Sequence, residues 1–217
     1  KMSSFRTSLL ITSLAGAGYA SWMGLFKKMS LQPKTFEETE AFYKQYQGPF
    51  DKPLFTAFDK VMKDRDLIKK DEKKYEYRCG NAFGIYHDDP DVVKDQDKLR
   101  AEIGFLFDTK ALSDEERKEL VKEYGKKGYS YAKFRNTRTY YENFPIRSPI
   151  VLSFLIGGKK FYPLVKQKLK DENVLSKLEG SEYGFVETYT DSEINFFAPT
   201  ENFEDFYLTS HPTPEPK

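Results

Sequence analysis

Three kinds of hydrophobic pattern follow one another along this chain, and the first is unbroken. From Thr7 to Phe26 the run TSLLITSLAGAGYASWMGLF carries no charge over 20 residues, with Arg6 before it and Lys27 and Lys28 after it. That is the length of apolar helix a bilayer requires. Trp22 and Phe26 lie toward one end, where aromatic residues suit a membrane interface. A single spanning helix over residues 7–26 is therefore expected. Gly16, Ala20 and Gly24 recur along it at i, i+4 and i+8. Such a row lets helices approach closely in lipid, so it is expected to face another transmembrane helix.

After a linker over residues 27–34, in which Pro33 discourages helix continuation, the pattern turns to strand and helix periods. Thr35–Tyr46 reads as a strand closed by Gly48-Pro49. Pro53 suits a first helical turn, and Leu54, Phe55, Phe58, Val61 and Met62 follow at helical spacing to about Leu67. The charged stretch Lys69–Lys74 reads as a solvated loop. Gly84-Ile85-Tyr86, a turn at Asp88-Asp89-Pro90 and a strand over Leu99–Phe107 come next. Ser113 before Asp114, Glu115 and Glu116 marks a helix N-terminus, with acidic residues where the helix dipole favours them. That helix ends near Gly125.

The pattern then recurs. Tyr129–Tyr141 reads as a strand, and Ser148-Pro149 opens a helix with Ile150, Leu152, Phe154 and Leu155, continuing to Leu169 through a weak point at Gly157-Gly158. Phe185–Thr190, a turn at Asp191-Ser192, and Ile194–Ala198 complete the second half. Each half thus reads as β-α-β-β, over about residues 35–108 and 129–199. The fold class expected is α+β, two such lobes with antiparallel sheet, with Phe58 and Phe154 at corresponding places on the two main helices. A proline-rich tail over residues 209–217 should lack regular structure.

Composition narrows the chemistry. Lys+Arg number 35 and Asp+Glu 34, so no basic field exists to neutralise a phosphate backbone, and nucleic acid is not expected as a partner. Cys79 is the only cysteine, which rules out an internal disulfide framework. His87 and His211 stand in unlike contexts, offering neither a zinc set nor a triad. Asp88, Asp89, Asp91, Asp95 and Asp97 lack the central Gly and closing Glu of a calcium loop, since Arg100 stands last. No catalytic constellation, metal or cofactor is expected. A chain opening on Lys1 suggests processing or a leader before it; the mitochondrial inner membrane is the expected location, with the endoplasmic reticulum as the alternative. The role that suits these features is an accessory subunit contacting the bilayer and other membrane subunits.

The duplicated plan resembles the GyrI-like domain family. Gly48-Pro49-Phe50 is similar to that family's turn into the first helix. Ile85-Tyr86-His87-Asp88-Asp89-Pro90, Lys98-Leu99-Arg100 and Gly104 resemble a segment of its membrane-anchored eukaryotic branch, as do Phe144-Pro145, Val186–Tyr189 and Phe196-Phe197-Ala198-Pro199. The resemblance implies a cleft between two lobes where an acidic residue meets cationic ligands, and, for the eukaryotic branch, a receptor or adaptor role at the endoplasmic reticulum. Glu187 is the counterpart it implies, with Tyr86 in the matching region of the first lobe. Glu187 and Tyr189 are two apart on a strand and share a face. A carboxylate among aromatic rings binds a cation by charge and by ring faces. Alternatively, Glu187 pairs with a nearby Lys or Arg and only shapes the strand.

Overall fold

The residues read as one opening strand in each half form two. In the computed structural model, which describes residues 16–71, 79–107, 113–174 and 183–215, the first half holds β1 (Gln32–Phe36), β2 (Thr39–Gln47), α2 (Lys52–Asp71), β3 (Cys79–Tyr86) and β4 (Arg100–Phe107). After α3 (Asp114–Lys126), the second repeats it with β5 (Ser130–Phe134), β6 (Thr137–Pro145), α4 (Ile150–Asp171), β7 (Phe185–Tyr189) and β8 (Glu193–Pro199). The unit is β-β-α-β-β. Its breaks fall at Glu37-Glu38 and Arg135-Asn136, polar pairs inside otherwise strand-like runs. The two breaks meet, the Glu38 amide donating to Asn136 Oδ1 at 2.6 Å.

These breaks let each half lend its first strand to the other. The sheet is antiparallel throughout, in the order β1-β6-β8-β7-β3-β4-β2-β5. β1 pairs with β6 of the second half, β5 pairs with β2 of the first, and β3 and β7 join the lobes. Phe36 and Phe134, at the ends of the exchanged strands, touch edge to face at 5.8 Å. They close a core with Phe83, Ile85, Val186, Phe197 and Phe206 on one face of the curled sheet.

The other face carries the helices. Phe42, Phe105 and Phe107 meet α2 and α3, while Phe144 and Phe196 meet Phe161 and Val165 of α4. Gly104 stands where a Cβ would lie 2.1 Å from the Phe42 carbonyl oxygen, so only glycine lets β4 approach β2 there. Ser113 and Glu116 form a reciprocal capping box at α3. α2 runs past Leu67 to Asp71, so the start of the expected charged loop is helix; residues 72–74 lie outside the described residues. α4 passes through Gly157-Gly158 as one helix, with Gly157 packed under the Phe144 and Phe196 rings.

The N-terminal run departs from expectation. Residues 7–15 lie outside the described residues, and residues 16–22 form a helix, α1. It stops there. The Leu25 amide donates to the Ala20 carbonyl at 2.9 Å and the Gly24 amide to Ser21 at 3.0 Å, with Gly24 at φ +80°. This is a Schellman stop, in which a left-handed glycine frees the chain from the helix. Met23 is buried, and a Cβ on Gly24 would lie 2.7 Å from the Phe144 ring. Gly16 and Ala20 are helical positions, but Gly24 faces the domain and not a continuing helix row. No helix among the described residues is long and apolar enough to cross a membrane. Lys27 then fastens the exit, donating to Glu142 Oε1 at 3.0 Å and Asn143 Oδ1 at 2.7 Å.

The tail is irregular in residues 209–215 but held. Arg100, 1% exposed, forms a bidentate pair with Asp88 at 2.9 and 2.8 Å. Its other nitrogen reaches Tyr207 Oη at 2.9 Å and the His211 carbonyl at 3.2 Å. The acidic turn is thus occupied from within: Asp88 by Arg100, and Asp89 by Lys166.

Candidate ligand-binding site

Glu187 sits on β7 at the seam between the lobes, opposite Gly84 of β3. It is 6% exposed. Alternation along β7 puts Tyr189 on the same face, and its hydroxyl donates to Glu187 Oε2 at 2.9 Å. The Tyr162 hydroxyl, from α4, donates to Oε1. Tyr86 and Tyr189 hydroxyls lie 2.8 Å apart. With the Tyr189 proton already directed at Glu187, Tyr86 is the donor of that pair. Three tyrosines therefore converge on one carboxylate, two directly and one through its neighbour.

Gly84 makes the convergence possible. A Cβ there would lie 2.9 Å from the Tyr86 ring, so the bare glycine lets that ring fold back along β3 toward Tyr189. Phe50, from the Gly-Pro-aromatic turn, meets the Tyr86 ring at 5.3 Å. Phe58 of α2 and Phe154 of α4 each meet the Tyr189 ring at 5.3 Å. The two helices touch through Phe55 and Phe154 at 5.7 Å. The corresponding helices thus cover the seam from both sides.

Burial pushes the Glu187 carboxyl up to about 7, although the Tyr162 and Tyr189 hydrogen bonds pull the other way. Burial and the neighbouring Glu187 charge hold the Tyr86, Tyr162 and Tyr189 hydroxyls well above the usual phenol range. Among the described residues Glu187 has hydroxyl partners and no Lys or Arg within ion-pair distance. The alternative of a strand-shaping ion pair is not what the structure holds.

The residues singled out in the sequence, Glu187, Tyr189 and Tyr86, come together. Tyr162, Phe50 and Gly84 complete the group and were not singled out for it. Tyr162 lies eight residues after Phe154, two turns along the helix, which is the signal by which it could have been found. Its pairing with Glu187 across 25 residues is tertiary.

The arrangement is a buried, aromatic-walled carboxylate poised near neutrality. An anion without a cation is costly in such surroundings. A buried carboxyl ringed by aromatic faces has the features that favour a cation: a counter-charge and ring faces that attract one.

No family model matches the chain, and no curated protein matches it. Solved structures give distant likenesses. The C-terminal domain of EcmrR is 9% identical, with 79% of this chain and 96% of that one covered at a TM-score of 0.45. SAV2435 bound to tetraphenylphosphonium is 12% identical, covering 81% and 96% at 0.39. A hydrolase from Listeria innocua is 10% identical, covering 83% and 98% at 0.44. At this distance no activity carries over from any of them.

Proposed function

We propose that this chain is a non-catalytic, membrane-held domain that binds a hydrophobic organic cation between its two lobes, with Glu187 as the counter-charge. The observation that carries the reading is the buried Glu187 carboxyl, held by the Tyr162 and Tyr189 hydroxyls and walled by Phe58 and Phe154, with no Lys or Arg of the described residues within ion-pair distance. Phe55 and Phe154, 5.7 Å apart, close the seam between α2 and α4, so a bulky ligand has to part this contact to reach Glu187. The support for a membrane location is the charge-free run beginning at Thr7, although its helix ends at residue 22, short of the about 20 residues expected for a full span. The mitochondrial inner membrane is the first compartment to test, by fractionation.

Titration calorimetry of the full chain in detergent with tetraphenylphosphonium, an aromatic delocalised cation, tests the binding. Affinity should rise as pH passes from 6 to 8, as Glu187 ionises, and fall about tenfold or more in Glu187→Gln. Triphenylphosphine oxide, similar in bulk but uncharged, should bind weakly to both. Equal affinity of the two compounds, or of the two proteins for the cation, refutes the role of Glu187.

A further inference from the structure

Where the chain leaves α1, apolar side chains from two separate segments lie bare side by side. Trp22 is 49% exposed and Phe26 64%, while at the start of α4 Ile150 is 55%, Val151 46% and Leu155 49% exposed. The two groups are neighbours: the Tyr19 hydroxyl donates to the Ser148 carbonyl at 3.4 Å, and the Arg147 guanidinium lies 5.8 Å from the Trp22 ring. Val151 and Leu155 are one turn apart on α4, so their side chains share a face. An apolar surface drawn from two elements is a mark of an interaction site.

Its surroundings identify the partner. Lys28, Arg147 and Lys159 have no carboxylate within ion-pair distance among the described residues, so three cations lie free beside this apolar face. Uncompensated cations beside exposed aromatic and aliphatic groups match the headgroup layer of an anionic bilayer, where each Lys or Arg gains from the surface potential and Trp prefers the boundary. The face is also continuous with the charge-free run beginning at Thr7. The exit is held, because the Gly24 turn, the grip of Lys27 on Glu142 and Asn143 and the Lys160 bond to the Lys27 carbonyl at 2.9 Å tie α1 to the domain. We propose that the domain lies flat on an anionic phospholipid surface, with Trp22, Ile150, Val151 and Leu155 in the interface and Arg147, Lys28 and Lys159 on the phosphates. This rests on the membrane reading above and adds the orientation of the domain.

Trp22 is the only tryptophan, so its emission reports the α1 end directly. The domain face needs its own probe: a fluorophore on Val151→Cys, with the sole native cysteine replaced by Ala, and a control on Lys126→Cys at the end of α3. The full chain is reconstituted into phosphatidylcholine vesicles with and without phosphatidylglycerol, each doped with doxyl-labelled lipid. The expected result is quenching and a blue shift of both Trp22 and the Val151 probe, stronger with phosphatidylglycerol, and none at the control. Quenching of Trp22 without the Val151 probe overturns the docked face while leaving the membrane reading intact. No quenching at either overturns both. Protection of the Val151 probe that grows with protein concentration and ignores lipid means a second copy covers the face, and also overturns the proposal.

Discussion

Replacing Glu187 by Gln isolates the energetic consequence of the buried carboxyl. In the folded chain its pKa is pushed from 4.5 to about 7 by burial. The folded state therefore holds this proton more tightly than the unfolded state. Its stabilising contribution is full below about pH 4.5 and is lost as pH rises to about 7. At about 1.4 kcal/mol per pH unit, the loss amounts to roughly 3 kcal/mol. Gln cannot ionise and keeps one oxygen to accept from a tyrosine, so the variant escapes this loss. It gives up about 1 kcal/mol where its amide meets a hydroxyl that formerly donated. The variant should match or fall slightly below the parent at pH 4.5 and exceed it by about 2 kcal/mol at pH 8. For a domain of this size that is a rise in Tm of roughly 4–8 °C. Urea unfolding followed by far-ultraviolet circular dichroism across pH 4.5–8 measures it. Other titrating groups are common to both proteins and cancel in the difference. A difference that stays constant over this range would mean that folding does not shift the Glu187 pKa, and the reasoning would fail.

Two further substitutions probe the scaffold. Arg100→Met leaves Asp88 buried without its bidentate partner, which should cost about 3–5 kcal/mol; it should also release the segment after Tyr207, read as faster proteolytic clipping of the C-terminal residues under native conditions. Gly24→Ala forces a left-handed backbone onto alanine and a methyl against the Phe144 ring, and should cost about 1–2 kcal/mol in urea unfolding, whereas Gly16→Ala, with open space around it, should not destabilise.

Much of this protein was legible in its sequence because the signals are local. Helix α3 was readable from Ser113 and the acidic turn after it, since a cap acts within three residues. The strand β7 put Glu187 and Tyr189 on one face by alternation alone. The duplication was visible as two rounds of the same hydrophobic periods. The charge-free run at the N-terminus was equally plain, and so was its small-residue row.

What the tertiary structure decided depends on partners remote in the chain. The breaks at Glu37-Glu38 and Arg135-Asn136 read as polar interruptions too short to end a strand, and only the meeting of Glu38 with Asn136 shows why the chain bends there. The exchange of β1 and β5 between lobes follows from those bends and leaves no local mark. Gly24 reads as one member of a helical row, yet its surroundings, the ring of Phe144 among them, make it the end of the helix. The surroundings of Glu187 are the clearest case. Its position on the strand was a matter of period, but whether it meets a lysine, water or hydroxyls depends on which side chains the packing of α2 and α4 delivers. Burial and hydrogen bonding set its charge, and both are properties of the packed lobes, assembled from residues as far apart as Tyr86 and Tyr189.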